Sequence, residues 1–219
     1  MSNYVIHACP KRLWYVEEFL VPSLKEQGIE NIDVRCDNFK RGNLLYCMDI
    51  FGRMTGDGGS WHIQDDVIIC RDFAQRTAKY DGKNEIVCGF AWDKDPNIDK
   101  IDYVQQSDMW YSFPCIYIPN YIAKECSEWF FNKGRYDGRY LSFSVKGQFD
   151  DYFFQKYLME YYPELPILHI KPSLVDHIDY LIGGTTVEAI GRDEISRAKW
   201  FDDPDLVNQL KERLKYRNG

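Results

Sequence analysis

The chain has no Cys-x-x-Cys pair, no long hydrophobic run and no excess of positive charge, and each absence narrows what it can be. Seven cysteines (Cys9, Cys36, Cys47, Cys70, Cys88, Cys115 and Cys126) are scattered through 219 residues, mostly inside apolar segments. An odd number without pairing rhythm argues against a disulfide scaffold or a zinc ribbon, and for reduced, buried thiols in a cytoplasmic setting. No stretch approaches the ~18 apolar residues of a membrane span, and the N-terminus lacks the basic-then-apolar pattern of a secretory signal. The net charge of −7 supplies no electrostatic reason to bind a nucleic-acid backbone. Repeats, low-complexity tracts and linker-like segments are also missing, so residues 1–219 are expected to form a single domain.

What is present is an ample supply of core. Hydrophobic residues make up 45% of the chain and aromatic residues 16%, including 16 Tyr and 6 Trp. Most of these rings belong in a core, but sugar-binding surfaces also favour them, because they offer apolar faces to C–H groups and polar edges to hydroxyls.

The first 92 residues alternate strand and helix. Tyr4 to Ala8 reads as a buried strand. Arg12 to Gln27 carries Leu13, Val16, Phe19, Leu20 and Leu24 at helical spacing and stops at Gly28. A strand over Asn31–Cys36, a helix over Asn43–Met54, a glycine-rich loop over Thr55–Gly59 and a strand over Trp61–Gln64 follow. A helix near Arg71–Lys79 and a strand over Glu85–Phe90 complete this half. The order predicts an α/β fold with a mainly parallel central sheet, helices on both faces and ligands gathered at the carboxyl ends of the strands. His7, Asp37, Asp65 and Asp66 all fall at such ends.

The densest chemical signal is Trp61-His62-Ile63-Gln64-Asp65-Asp66-Val67-Ile68-Ile69. Two adjacent carboxylates stand between two apolar runs. An unpaired buried carboxylate is costly enough to change protonation state or find a cation. The pair therefore points to a divalent-metal or phosphate–metal site, against the alternative of a turn whose carboxylates cap the next segment.

The second half is less regular. Asp93 to Ser107 is acidic and polar, as expected of a loop over the sheet face or a mobile lid. Met109–Ile118 is aromatic and β-rich, Pro119-Asn120 opens a helix to about Phe131, and Asn132–Lys146 is a Gly- and Tyr-rich connection. A helix over Phe149–Tyr162 begins with Asp150-Asp151, a strand covers Ile167–Lys171, and Pro172-Ser173-Leu174-Val175-Asp176-His177 follows. Asp202 to Lys215 reads as an amphipathic terminal helix.

A nucleotide-binding βαβα half, a Gln64-Asp65-Asp66 strand end, an acidic helix start and a late Pro172–His177 segment together resemble glycosyltransferases of the GT-A fold, in particular small bacterial and phage enzymes near the lipopolysaccharide glycosyltransferase group. The resemblance spans about residues 4–184. It divides the domain into a nucleotide-binding half (1–92), an acceptor and catalytic half (93–184) and a tail (185–219). The commoner motif has an acid where Gln64 stands; Gln64 can still hydrogen-bond a ribose hydroxyl but adds no charge to a metal.

This resemblance implies a metal-dependent transfer from a nucleoside-diphosphate sugar, with Mn²⁺ or Mg²⁺ neutralising the charge that develops on the leaving diphosphate. Asp66 and His177 are the expected ligands, and an imidazole favours Mn²⁺. Asp65 would share the metal or contact the ribose, beside Gln64. His7, Arg12 and Asp37, with Asn43 and Arg53 as lesser candidates in the same pocket, would line the donor's base and diphosphate. Gly183-Gly184-Thr185 could close over the diphosphate or form an ordinary loop. Asp151, with Asp150 beside it, is the expected general base of an inverting transfer, although acids also suit a helix start for capping alone.

Two other functions compete. A nucleotidyltransferase that makes the sugar nucleotide should carry a Gly-rich phosphate loop after the first strand, but Ala8-Cys9-Pro10-Lys11-Arg12 contains no glycine. A non-catalytic interaction protein on the same fold would not need Asp66, His177 and Asp151 together. The acceptor stays open among glycan precursors, proteins and modified nucleic acid, as does the oligomeric state.

Overall fold

The computed structural model describes residues 2–90, 102–104, 113–137, 150–170, 173–178, 182, 208–210 and 212. Within them a seven-stranded sheet runs in the order β2-β1-β3-β7-β5-β8-β6, from β1 (Asn3–Ala8), β2 (Ile32–Cys36), β3 (Gly59–Gln64), β5 (Ile86–Cys88), β6 (Asp102–Val104), β7 (Cys115–Pro119) and β8 (Ile167–His169). A separate two-stranded ladder pairs β4 (Val67–Ile69) with β9 (Val175–His177).

The sheet is mostly parallel. β1 pairs in parallel with both β2 and β3, and β5 with β8. The reversals are β7, antiparallel to both β3 and β5, and β6, antiparallel to β8. The chain leaves β1 for β2 on one side and comes back to β3 on the other, so the carboxyl ends of β1 and β3 flank a topological switch point, where open α/β sheets keep their crevice.

Side-chain alternation with period two sends the strands' residues into two cores. Tyr4, Ile6, Ala8, Trp61, Ile63, Cys115 and Tyr117 pack on one face with Tyr15, Val16, Leu20 and Leu24, and with Phe73 of helix α4 (Phe73–Thr77). Val5, Ile116 and Ile118 pack on the other face with helices α3 (Asn43–Phe51), α5 (Asn120–Asn132) and α6 (Asp150–Tyr161). Helices thus cover both faces, as the alternation of the first half predicts.

The first crossover is one helical run in three parts: α1 (Leu13–Tyr15), a π-helical turn (Val16–Leu20) and α2 (Val21–Glu26). Pro22 has no N–H for a regular ladder, and the widened turn precedes it, with the Val21 amide bonded to the Val16 carbonyl. Gly28, at φ +82°, ends the run in the left-handed conformation that glycine adopts without strain. Tyr15 donates its hydroxyl to the Val67 carbonyl at 2.7 Å and fastens this crossover to β4.

Several sequence expectations shift at their edges. The helix from Asn43 ends at Phe51 rather than Met54. Val67–Ile69 does not re-enter the main sheet but forms the small ladder, whose partner β9 lies in a segment with no strand forecast. A strand at Asp102–Val104 interrupts the expected acidic loop. Gly183-Gly184-Thr185, most of Asp93–Ser107 and most of the terminal helix lie outside the described residues. Among the described residues, no helix is long and apolar enough to cross a membrane.

Candidate functional site

Asp65 and Asp66 follow β3 directly, and both are buried. The cation that their burial demands is Arg12, in the turn that leaves β1. Its Nη2 lies 2.7 Å from Asp65 Oδ1, and its Nη1 donates to Asp66 Oδ2. The side chains of Arg12, Asp65 and Asp66 retain only 11%, 2% and 7% of their exposure. The backbone amide of Cys9 donates to the other Asp65 oxygen. Removing one partner of so buried a group would cost about 3–5 kcal/mol.

His177 completes the cluster from the far end of the chain. Register between β4 and β9 sets Val67 opposite His177, and the Ile178 amide donates to the Asp66 carbonyl at 2.8 Å. The His177 Nε2 stands 3.2 Å from Asp66 Oδ1. That oxygen is buried, and its approach to the ring misses hydrogen-bond alignment. Two ligands bound at about 2.1 Å on adjacent positions of one ion stand about 3 Å apart, so the separation fits a shared divalent cation. Among the described residues, no three His, Cys, Asp or Glu side chains converge as a closed cage. A site with two protein ligands is therefore the one these side chains can build, with positions left for oxygen atoms of a ligand.

The two acids titrate differently. Burial pushes the Asp65 carboxyl up to about 6, against the pull of Arg12 and with the push of Asp66. Burial also raises Asp66, but the His177 ring and the Arg12 guanidinium outweigh it and hold its pKa below the ordinary carboxylate value. Asp66 is thus the member held as an anion.

Asp150 and Asp151 open α6 on the opposite face of the sheet. Asp150 is buried, and Asp151 is half-buried. Burial first, then the charge of Asp151, lifts the Asp150 carboxyl to about 7, and the charge of Asp66 adds to the rise. Asp151, also raised by burial, accepts the Tyr152 amide at 2.7 Å, a helix-start contact.

The expected donor-side residues divide. His7 pairs with Gln64 across the parallel β1–β3 register, so it shares an edge with the acids but faces α3. Its Nε2 lies 2.9 Å from His62 Nδ1, and its ring meets Tyr46 edge-on at 6.1 Å. Burial lowers the His7 pKa to about 3 and also depresses His62, so both rings are neutral. Asp37 is engaged by Arg41, whose amide and Nε approach it at 2.7 and 3.1 Å. Arg41 also bridges to Asp49 at 3.1 Å and lies over Tyr46. Asn43 is exposed at the start of α3, and Arg53 is drawn to Asp49 at 2.9 Å, on the outer side of that helix.

Sequence reading did not assign His62 or the Cys9 amide. For His62 a signal existed: a lone imidazole between Trp61 and Ile63 must face the side opposite those two core side chains. The Cys9 amide had no comparable mark.

No protein-family model and no curated protein matches the chain. Among solved structures, HddC from Yersinia pseudotuberculosis is similar at 11% identity and TM-score 0.33, over 57% of this chain and 80% of that one. A structure of the same protein complexed with GMP-PN is similar at 9% identity and TM-score 0.40, over 98% of this chain and 100% of that one. At these scores the likeness assigns no function, which is read from the chain's own residues.

Proposed function

We propose that the protein is a metal-dependent glycosyltransferase of the GT-A type, which takes a sugar from a nucleoside-diphosphate sugar and passes it to an acceptor hydroxyl. The observation that carries this reading is the approach of His177 Nε2 to Asp66 Oδ1 at 3.2 Å, beside the switch point of the sheet. An open two-ligand site suits an ion that must also hold phosphate oxygens. When bound, Mn²⁺ or Mg²⁺ supplies Lewis-acid neutralisation of the departing diphosphate.

The chain's own residues do the rest. Arg12 opposes the effect of burial on Asp65, helps His177 hold Asp66 as an anion, and brings a positive charge to the crevice. Gln64 and the neutral His7 stand side by side at its rim, as hydrogen-bonding groups for the nucleoside. The Asp150–Asp151 pair supplies the base that accepts the acceptor's proton. Asp150 is preferred, because burial and the charge of Asp151 raise its carboxyl to about 7, a value that suits proton transfer at neutral pH.

The test is a thermal-shift screen of UDP-, GDP- and CDP-sugars with and without Mn²⁺. A donor at 100 times its dissociation constant adds roughly 2.7 kcal/mol of apparent stability. Stabilisation by one donor only when Mn²⁺ is present supports the reading, and no response to any of them rejects it. Turnover of a free nucleoside triphosphate with a sugar phosphate would favour the nucleotidyltransferase instead.

A further inference from the structure

Three of the four oxygens of the acidic pair are committed to protein donors. Asp65 Oδ1 faces Arg12, Asp65 Oδ2 accepts the Cys9 amide, and Asp66 Oδ2 accepts Arg12. Asp66 Oδ1, beside His177, is the fourth. A divalent ion entering alone would gain one carboxylate oxygen and one imidazole nitrogen, and would lie next to a guanidinium of like charge. Mg²⁺ and Mn²⁺ in oxygen-rich sites take about six ligands and give up water reluctantly, so two ligands against that repulsion bind weakly. The guanidinium also holds a buried Nε with no acceptor among the described residues. A buried donor without a partner is costly. An incoming anion could satisfy it.

We propose that Arg12 is a resident counter-cation that bars the bare metal ion and admits it only in company with a diphosphate. The diphosphate supplies oxygens for the open coordination positions and negative charge to offset the guanidinium, and it offers the Arg12 Nε an acceptor. Arg12 is thus a positioning residue that couples metal entry to nucleotide entry. This rests on the reading of Asp66 and His177 as a metal–diphosphate site.

The experiment measures Mn²⁺ binding to the full chain from the free-ion electron paramagnetic resonance signal, with and without UDP, GDP or CDP. Native protein should bind Mn²⁺ alone weakly and at least about tenfold more tightly with the fitting nucleotide. Arg12→Met should bind Mn²⁺ alone about 10–100-fold more tightly than native, the range in which outer partners tune metal sites, and should lose most of the nucleotide's enhancement. Because Arg12→Met leaves two buried carboxylates unneutralised, Arg12→Met/Asp65→Asn restores the charge balance and should show the same gain. Adding Asp66→Asn to that double variant should abolish it. Native protein that binds Mn²⁺ alone as tightly as the double variant overturns the proposal, while metal–nucleotide binding by native protein would leave the glycosyltransferase reading standing. Failure of native protein to bind Mn²⁺ with any nucleotide sinks both.

Discussion

His177 is carried to within 3.2 Å of Asp66 by a two-strand ladder that lies outside the main sheet. The contact depends on one register, Val67 opposite His177, so the proposed metal site relies on the β4–β9 ladder. Asp66→Ala and His177→Ala should each abolish Mn²⁺-dependent nucleotide-sugar binding. His177→Ala should also lower the melting temperature, because the ring helps hold the buried Asp66 carboxylate as an anion. Isothermal titration with Mn²⁺ and the best donor from the thermal screen checks this, and undiminished Mn²⁺-dependent affinity in Asp66→Ala would remove that residue from the site.

Much of this site was legible because its residues break a local pattern. Asp65-Asp66 stands out between apolar runs that have no use for charge, and the strand–helix alternation alone puts it at a carboxyl edge. His177 was reachable only through the resemblance of Pro172–His177, because nothing within Val175-Asp176-His177 announces a partner as distant as Val67. Arg12 illustrates the limit. A surface-like Arg after a strand looks the same whether it meets phosphate or carboxylate, and only tertiary closure of the β1 and β3 ends selects Asp65 and Asp66. The reversal of β7 was hidden for a related reason: strand direction depends on the path of the connection, and five apolar residues from Cys115 to Pro119 read the same either way.

The His7–His62 pair should be silent to pH. With His7 lowered to about 3 and His62 also depressed by burial, neither ring takes up a proton between pH 5 and 8. Long-range ¹⁵N spectra of the imidazoles should show constant shifts for both across that interval. A midpoint near 6.5 at His7 would mean that the ring is solvated and not held against His62. Replacing His62 with Phe removes the 2.9 Å partner but not the burial that depresses His7, so the His7 ring should stay neutral across the same interval.

Gly59 begins β3 under the ring of Tyr117, and a Cβ added there would lie 2.3 Å from the Tyr117 Cζ. Tyr117 is buried and packs against Trp61 at 5.5 Å, so the ring has no free direction in which to retreat. Gly59→Ala should cost about 1–3 kcal/mol through overpacking. Chemical denaturation should show a lower midpoint at unchanged slope. The double variant Gly59→Ala/Tyr117→Leu should recover part of the loss, and no difference between Gly59→Ala and native would disprove the close approach.

The choice between Asp150 and Asp151 as base can be made by rate and by stability in one set of variants. If Asp150 is the base, Asp150→Asn should lower turnover by about 10²–10⁴-fold with donor affinity nearly unchanged, and Asp151→Asn should cost little beyond its contact with the Tyr152 amide. The opposite ranking would assign the role to Asp151. Native turnover should climb with pH through about 7, because the base works as the anion. Stability should run the other way. The folded Asp150 carboxyl holds its proton to about 7, whereas an unfolded Asp releases it near the ordinary value of 3.8. Its contribution is therefore fully present below about pH 4, and it is lost as the pH rises through 7. Asp65, raised to about 6, adds a loss of the same sign. Asp150→Asn cannot ionise, so its stability should fall less steeply than native between pH 4 and 7 and exceed native stability most clearly at pH 8. Parallel stability curves for native and Asp150→Asn would show that Asp150 is an ordinary solvated carboxylate. The reason to prefer Asp150 over its neighbour would then be lost.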